Sequence, residues 1–208
     1  MRGRLITLEG GEGAGKSTQV RRLATALEAR GRACVTTREP GGSPGAEEIR
    51  TLLVNGEPGR WDALTETLLL FAARADHVAR TILPALETGK DVICDRFTDS
   101  TYAYQGAGRG TPRETVRRIE AVVLDDFMPD LTLVLDLPVE AGLARARARG
   151  VEESRFENFD AAFHERLRQA FLDIAKRAPD RCIVIDAAGS EDSVFDAVWS
   201  AVARRAGL

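Results

Sequence analysis

The segment at residues 10–17 constrains this chain more than any other feature, because it matches the pattern G-x-x-x-x-G-K-[ST]. Glycines let the backbone curl so that successive N–H groups point at one anion, and the following helix adds its positive N-terminal end. The lysine reaches the β and γ phosphates, and the serine hydroxyl is a ligand for Mg²⁺. The motif predicts a nucleoside triphosphate site formed by Gly10, Gly11, Glu12, Gly13, Ala14, Gly15, Lys16, Ser17 and Thr18.

Short apolar runs alternate with helical patterns along the rest of the chain. The runs predict strands at 4–9, 33–37, 91–95, 131–137 and 181–186. Helical spacing predicts helices at 16–30, 45–54, 64–87 (interrupted near Pro84), 112–125, 139–149, 161–178 and 191–205. Such alternation predicts an α/β fold with a parallel sheet and helices on both faces. Because no linker divides the chain, we expect one domain over 1–208, with a small lid at about 142–158.

Composition and charge exclude several classes of protein. The formal net charge of −3 argues against bulk nucleic-acid binding, which usually needs a basic face. No apolar run is long enough to span a membrane, and the run near the N-terminus is too short for a secretory signal. The odd number of cysteines, three, suits a reducing compartment. We therefore expect a cytoplasmic protein without nucleic-acid or membrane partners.

A phosphate-binding loop alone fits a motor, a GTPase switch or a kinase. The chain has no Asn-Lys pair, which a GTPase would use for guanine. A small kinase needs an acceptor pocket, arginines for the migrating charge and a lid that excludes water. Asp95 ends the third predicted strand, where it is placed to hold Mg²⁺ together with Ser17, and Arg96 follows it. Phe71 and Arg74 lie three residues apart on one predicted helix, which suits a stacked and hydrogen-bonded base.

Plainer readings of these residues stay open. Asp95 and Arg96 also fit a salt bridge at a strand end, and Phe71 also fits a core residue beside a surface arginine. The arginines of the predicted lid also fit a solvated helix end, because 26 of the 29 basic residues in this chain are arginines.

Five segments together resemble the bacterial thymidylate kinases. They are EGGEGAGKST, TREPGGSPGAEEIR, LLLFAARADHV, DRFTDSTYAYQGAGRG and RARARG followed by SRFE, and the resemblance runs essentially end to end. It implies transfer of the γ-phosphoryl group of ATP to dTMP, giving ADP and dTDP, with Mg²⁺. It also implies a homodimer built on a P-loop NTPase fold with a five-stranded parallel sheet.

The resemblance assigns residues to the acceptor nucleotide. Phe71 resembles the residue that stacks on thymine, Arg74 the donor to its O4, and Thr101 a partner of the pyrimidine edge. Tyr104 resembles the residue that crowds the sugar 2′ position, and Gln105 a helper at the sugar or base.

Further assignments concern the sugar hydroxyl and the phosphates. Glu12 resembles the acid that faces the 3′-hydroxyl, and Arg38 lies by the dTMP phosphate. The resemblance also implies that Arg96 contacts phosphate and that Ser100 belongs to the same substrate site.

The remaining assignments concern the transferred group. Lys16, Asp95, Arg96, Arg149 and Arg155 are the expected catalytic residues, and Arg147 is expected to bind ATP. Which lid arginine acts stays open.

Two departures from the family pattern qualify this reading. Phe97 stands where some relatives have Tyr, so a hydroxyl there is not essential. Ser154 stands where Asp is common, which weakens a role for a carboxylate in the lid.

The chemistry needs no general base in this reading. A phosphate monoester has a second pKa near 6, so it is mostly dianionic at neutral pH and already a nucleophile. Three alternatives remain: a kinase for another monophosphate, a nucleotide-binding regulator without catalysis, and an ATPase coupled to nucleic acid.

Overall fold

A five-stranded parallel sheet forms the centre of the protein, as the sequence predicts. We describe residues 2–55, 59–148 and 159–206 of a computed structural model. The strands are β1 (Leu5–Gly10), β2 (Cys34–Arg38), β3 (Asp91–Asp95), β4 (Leu131–Asp136) and β5 (Cys182–Asp186). Their order in the sheet is β2-β3-β1-β4-β5, and each neighbouring pair is parallel.

Nine α-helices are described around the sheet. They are α1 (Lys16–Glu28), α2 (Pro44–Val54), α3 (Ala63–His77), α4 (Leu83–Glu87), α5 (Thr98–Thr101), α6 (Arg113–Leu124), α7 (Val139–Ala148), α8 (Ala161–Arg177) and α9 (Glu191–Ala206). A π-helical turn (Val78–Ile82) joins α3 to α4, and a longer one (Tyr102–Gly108) follows α5. No helix in the described ranges is long and apolar enough to cross a membrane.

Apolar side chains cover both faces of the sheet. On one face, Leu23 of α1 and Val198 of α9 share a buried cluster with Leu133 of β4. Elsewhere Leu86 of α4 packs near β3, and Phe171 of α8 packs near β4 and β5. β1 is buried along its whole length, because it lies in the middle of the sheet. A strand covered on both faces needs a nearly continuous apolar run, which is why β1 is recognisable in the sequence.

The register of the strands brings three carboxyl ends together. Leu8 of β1 lies opposite Asp95 of β3, and Asp95 lies opposite Arg38 of β2. The chain continues from β1 toward β2 and β3 on one side, whereas β4 lies on the other side, so β1 is the point where the strand order reverses. Open parallel sheets bind ligands at such a point, outside the carboxyl ends of their strands.

The predicted helix at 64–87 is interrupted, as its proline predicts. Pro84 has no N–H and its ring excludes the carbonyl of the preceding turn, so a regular α-helix cannot run through it. The π-helical turn at Val78–Ile82 absorbs the mismatch just before Pro84, and the chain stays helical on both sides.

One helical segment has no counterpart in the sequence prediction. Residues 98–108 form α5 and the following π-helical turn, although the segment holds two glycines and little helical periodicity. Ala103 and Tyr104 are buried there against Phe163 and Phe171 of α8. Tertiary packing on α8 therefore stabilises a helix that local propensity does not favour.

Candidate functional site

The phosphate-binding loop curls between β1 and α1, as its motif predicts. Gly13 has φ +69°, and a Cβ atom there would lie 2.0 Å from the carbonyl oxygen of Gly142. Gly10 has φ +135°, and its Cβ would lie 2.4 Å from the carbonyl oxygen of Leu135. Both positions therefore require glycine, because an L side chain would be strained and would also collide with backbone.

Lys16 is folded back across this loop. Its Nζ donates to the carbonyl oxygens of Gly10 at 3.1 Å and Gly11 at 2.8 Å. An ammonium has three N–H donors, so one more donor is available beyond these two bonds. Burial, followed by the nearby charge of Arg96, lowers the pKa of Lys16 to about 8. The loop thus holds a cation that is costly to bury and that an anion would stabilise.

A hydroxyl and a carboxylate meet beside the loop. The Oγ of Ser17, at the start of α1, donates to Oδ2 of Asp95 at 2.7 Å. The contact follows from the sheet, because Asp95 ends the strand next to β1. Two hard oxygen donors are therefore adjacent at the mouth of the phosphate-binding loop.

Arg96 connects the loop to the segment after β3. Its backbone has φ +71°, which is uncommon for a residue other than glycine and marks local strain. Its guanidinium donates to the carbonyl oxygen of Gly10 at 3.1 Å, to Oγ of Ser100 at 3.2 Å and to Oε1 of Glu12 at 2.9 Å. The strained backbone thus directs the guanidinium toward the loop.

Glu12 is held as a carboxylate by its neighbours. Its Oε1 also accepts a hydrogen bond of 2.8 Å from the hydroxyl of Tyr104. Burial would raise the pKa of Glu12, but the charges of Arg96 and Lys16 outweigh it and lower that pKa to about 2. Glu12 is therefore ionised at any physiological pH.

Glu9 is a second carboxyl group, fully buried beneath the loop. Its Oε1 accepts from the N–H of Phe97 at 2.7 Å, and its Oε2 accepts from the hydroxyl of Ser100 at 2.6 Å. Burial, followed by the charge of Asp99, raises the pKa of Glu9 to about 7. Glu9 thus fixes the segment that directly follows Arg96 in the chain.

Arg74 of α3 is buried at the opposite side of the same cavity. Its Nε donates to Oε2 of Glu39 at 2.7 Å, and its Nη2 donates to the carbonyl oxygen of Phe97 at 3.2 Å and to Oγ1 of Thr101 at 3.1 Å. Nη1 is buried and makes no hydrogen bond to the described residues. Because an unmet buried donor is costly, this nitrogen is ready for an acceptor from a ligand.

The partner of Arg74 is itself held in place. Oε1 of Glu39 lies 3.0 Å from Nδ1 of His77, and Nε2 of the same ring lies 2.7 Å from Oγ1 of Thr37. His77 is fully buried, and the pair Arg74–Glu39 is nearly so. This network restrains the guanidinium in one orientation.

Gln105 is oriented by a comparable contact. Its Nε2 donates to Oε1 of Glu66 at 2.8 Å, and Nη1 of Arg109 donates to Oε2 of the same carboxylate at 2.8 Å. Glu66 is fully buried on the first turn of α3. The amide donors of Gln105 therefore turn toward Glu66.

These groups enclose a cavity of about 220 Å³. Most of the predicted site residues line it: Glu12, Gly13, Gly15, Lys16, Ser17, Thr18, Arg38, Arg74, Asp95, Arg96, Ser100, Thr101, Tyr104 and Gln105. Arg38 lies at its exposed edge, where Nη2 contacts both carboxylate oxygens of Glu47 at 3.2 Å. The single cavity thus joins a phosphate-binding end to an end with fixed hydrogen-bond donors.

Some predicted residues lie elsewhere. Phe71 is 1% exposed and does not line the cavity; it lies under Arg74, whose Cζ is 4.7 Å from the ring centroid. The expected stack of Phe71 on a base therefore lacks the necessary access. Gly10, Gly11 and Ala14 shape the loop behind the cavity wall.

The lid prediction is only partly covered by the structure. The predicted lid at 142–158 is helical as far as Ala148, and Arg147 is exposed on α7 away from the cavity wall. Arg149, Ser154 and Arg155 lie outside the described residues.

Sequence reasoning missed several groups of this site. Leu53 and Val54 of α2, Leu70 of α3 and Arg50 also line the cavity. The spacing of four residues between Leu70 and Arg74 was an available signal, because residues so spaced share a helix face. No local pattern signals His77, because its partner Glu39 lies 38 residues away.

The cavity has a phosphate-binding loop with an adjacent carboxylate at one end and fixed hydrogen-bond donors at the other. This combination defines a P-loop nucleoside monophosphate kinase. Comparisons with known proteins specify the family. The family model described as thymidylate kinase matches residues 8–198. The thymidylate kinase of Caulobacter vibrioides is 57% identical over 206 residues, which is 99% of each chain. That of Jannaschia sp. is 52% identical over 200 residues, which is 96% of each chain.

A solved structure agrees with these relatives. The crystal structure of thymidylate kinase from Ehrlichia chaffeensis matches with a TM-score of 0.79 and 33% identity, over 97% of this chain and 100% of that chain. The chain belongs to the thymidylate kinase family, and it is an enzyme that phosphorylates dTMP to dTDP with ATP.

Proposed function

We propose that the cavity between the phosphate-binding loop and α3 holds dTMP while its phosphate attacks the γ-phosphorus of ATP. The observation that carries this assignment concerns Nη1 of Arg74, which lines the same cavity as Lys16 and Ser17, is buried, and has no hydrogen-bond partner in the described part of the chain. An acceptor oxygen of a base would satisfy that nitrogen, while the loop at the other end binds phosphate.

Base selection rests on fixed donors. Arg74 presents Nη1 to the O4 carbonyl of thymine, and Thr101, already bonded to Nη2 of Arg74, meets the pyrimidine edge. Gln105, held by Glu66, assists at the sugar or base. Cytosine carries an amino group where thymine has O4, so it would meet a donor with a donor and leave both unpaired.

The sugar lies between the base and the loop in this proposal. Glu12 stays ionised and accepts the 3′-hydroxyl of the acceptor. Tyr104 donates to Glu12, so its ring is fixed beside the sugar and crowds the 2′ position, which favours deoxyribose.

Phosphoryl transfer needs positioning and electrostatic stabilisation rather than a base. An oxygen of the dTMP phosphate forms a bond to the γ-phosphorus, and the bond to the ADP oxygen breaks with its electron pair going to ADP. Lys16 stabilises the charge on the transferred group, and Arg96 bridges donor and acceptor phosphates. Arg38 and Ser100 hold the acceptor phosphate, and the lid arginines Arg147, Arg149 and Arg155 serve the ATP phosphates.

The residues present fit a magnesium ion. Mg²⁺ usually binds through one or two carboxylates, together with water and substrate phosphates. Ser17 and Asp95 supply one hydroxyl and one carboxylate in contact with each other at the mouth of the loop. A bound Mg²⁺ would neutralise phosphate charge there. In the ranges that the structure covers, no group of three or more His, Cys, Asp or Glu residues forms a fuller metal cage.

A homodimer is part of the proposal. Leu52 of α2, Leu64 and Leu68 of α3 and Val122 of α6 are exposed large apolar residues, with Val122 87% exposed. α3 packs against both α2 and α6, so these side chains belong to adjoining helices. Exposed large apolar residues on adjoining helices suit an interface with a second copy of this chain. Replacing Val122 and Leu68 by Asp should convert a dimer into a monomer in sedimentation, while an unchanged mass would exclude this face.

We also infer a cytoplasmic location and no nucleic-acid partner. Cys34, Cys94 and Cys182 are free thiols, which suits a reducing compartment. The net charge of −3 does not favour a polyanionic partner.

The decisive experiment measures ADP and dTDP formation by the purified chain with ATP and Mg²⁺. The acceptors dTMP, dUMP, UMP, AMP and dCMP are compared in parallel, with an arm containing DNA. We expect dTMP to stimulate ADP formation most, with dTDP appearing in equal amount. A preference for another monophosphate would reassign the acceptor pocket. Stimulation by DNA, or tight ATP binding without transfer to any monophosphate, would contradict the kinase assignment.

A further inference from the structure

We infer that Leu70, and not the neighbouring aromatic Phe71, forms the apolar surface on which the acceptor base lies. This inference rests on the proposed location of dTMP in the cavity. It concerns which residue gives the base its apolar contact, and therefore which residue contributes to base affinity.

One face of α3 is directed at the cavity. Glu66, Leu70 and Arg74 are spaced four residues apart, so their side chains lie one above another along the helix. Glu66 holds Gln105, and Arg74 holds Thr101. Since Gln105 and Thr101 both line the cavity, Leu70 lies between two polar contacts that frame its wall.

Leu70 itself lines the cavity and is half-buried. Its side chain has no polar atom, so its contribution to a ligand is apolar contact. Leu53 and Val54 of α2, the helix that packs against α3, line the cavity too, so it has several aliphatic lining residues beside the aromatic Phe97 and Tyr104. A planar base placed between the donors of Arg74 and the loop would cover this surface and remove it from water.

Phe71 belongs to a different face of α3. Thr67, four residues before it, is fully buried, as Phe71 itself nearly is. Its ring supports Arg74 from below, and Phe97 lies 5.2 Å from the same guanidinium carbon. The aromatic ring thus stabilises the position of the arginine by cation–π contact, and the cavity wall on this helix is left to Leu70.

The test separates base contact from sugar and phosphate contact. For each variant we measure the KM for dTMP and the KM for ATP. We also measure the inhibition constant of 2-deoxyribose 5-phosphate, which lacks the base. We expect Leu70→Ala to raise the KM for dTMP about tenfold, since a half-buried leucine loses a large part of its apolar contact. Binding of 2-deoxyribose 5-phosphate and the KM for ATP should change less than about twofold.

Three further variants complete the experiment. Leu70→Met, which conserves volume, should keep the KM for dTMP within about twofold. Leu69→Ala is the matched control, because Leu69 is half-buried on the same helix and does not line the cavity. Phe71→Leu should lower Tm more than Leu70→Ala does, because Phe71 is almost fully buried, yet change the KM for dTMP less.

The outcomes distinguish failure of the role of Leu70 from failure of the proposed function. The role of Leu70 would be overturned if Leu70→Ala left the KM for dTMP unchanged, or if it weakened binding of 2-deoxyribose 5-phosphate as much as that of dTMP. It would also be overturned if Phe71→Leu changed the KM for dTMP more than Leu70→Ala does. Failure of the unaltered chain to form dTDP would instead remove the proposed function on which this role rests.

Discussion

The two ends of the cavity are built in different ways. At the base end, Arg74 is bonded to a carboxylate, a carbonyl and a hydroxyl, and it is 2% exposed. At the phosphate end, Arg96 is held in the same way, by Glu12, Gly10 and Ser100, but Lys16 bonds only to loop carbonyls among the described residues. The donors of the base end are fixed before any ligand arrives, whereas the phosphate end holds Lys16 on carbonyl oxygens that phosphates can replace.

This difference matches what each end recognises. A neutral base offers only hydrogen bonds, so donors must be oriented in advance if the wrong base is to be rejected. Phosphates carry several charges and bond more strongly than neutral carbonyls do, so they can take over cations from the loop. The following predictions test this contrast, first at the phosphate end and then at the base end.

Lys16→Met should lower kcat by roughly 10²–10³, because the charge on the transferred phosphoryl group loses its nearest ammonium. The same change should raise Tm. Burial lowers the pKa of Lys16 from its usual 10.5 to about 8. Keeping this amine protonated in the folded chain therefore lowers the free energy of unfolding. The loss is complete below about pH 8 and disappears above the pKa of the unfolded chain, about 10.5. The gain in Tm should therefore be larger at pH 7 than at pH 9.

Lys90→Met is the matched control for this prediction, because Lys90 is an exposed lysine outside the cavity. It should change neither kcat nor Tm. A Lys16→Met protein that keeps its rate, or that is less stable than the unaltered chain at pH 7, would contradict the account of the phosphate end.

Arg96→Ala should lower kcat by about 10² while the protein folds normally, because the bridge between donor and acceptor phosphates is lost. Steady-state rates at saturating ATP and dTMP measure the effect. Arg80→Ala removes an exposed arginine, 68% exposed in its side chain, and should leave the rate unchanged. Full activity of the Arg96 variant would remove that residue from the mechanism.

Glu39→Gln tests the base end. It leaves the buried guanidinium of Arg74 without its counter-charge, so we expect a loss of about 3–5 kcal/mol in the free energy of unfolding. The KM for dTMP should rise about tenfold, because the donor at Nη1 is no longer held in place, while the KM for ATP stays within about twofold.

Glu114→Gln serves as the comparison for Glu39→Gln, because Glu114 pairs with two arginines on the exposed surface of α6. It should alter neither KM. If Glu39→Gln raised both KM values equally, the base end would not be the independent unit described above.

Glu9→Gln should give the smallest effect, a change in how Tm depends on pH. Burial and Asp99 raise the pKa of Glu9 to about 7 from 4.5. The folded chain therefore binds this proton more tightly than the unfolded chain does. The resulting contribution to the free energy of unfolding is fully present below about pH 4.5 and is lost as the pH rises through 7. We therefore subtract the Tm of the unaltered chain from that of the variant, and expect this difference to be roughly 5 °C more positive at pH 8 than at pH 5. A difference that does not vary with pH would show that Glu9 is ionised throughout.

Much of the fold and most of the residues that line the cavity were accessible from the sequence. β1, the loop and α1 are predicted with bounds within two residues of those observed, because buried apolar runs and a glycine motif are local signals. The proximity of Ser17 and Asp95 agrees with the prediction that both hold one Mg²⁺, which was based on Asp95 ending a strand on the side of the phosphate-binding loop. By contrast, the helix at 98–108 depends on α8, more than fifty residues later in the chain, and its own composition does not indicate it.

The sequence by itself determined the class of fold, the phosphate-binding loop and the family, because these depend on residue type at short and fixed spacings. Only the tertiary structure decided which residues face the base. Phe71 and Leu70 are adjacent in the sequence, and both are apolar, so pattern alone does not choose between them. The rotation of α3 against α2 and α6, on which it packs, places Leu70 on the cavity wall and Phe71 beneath Arg74. That rotation is fixed by contacts such as Arg74 with Glu39 and Glu66 with Gln105, whose partners lie 35 and 39 residues away in the chain.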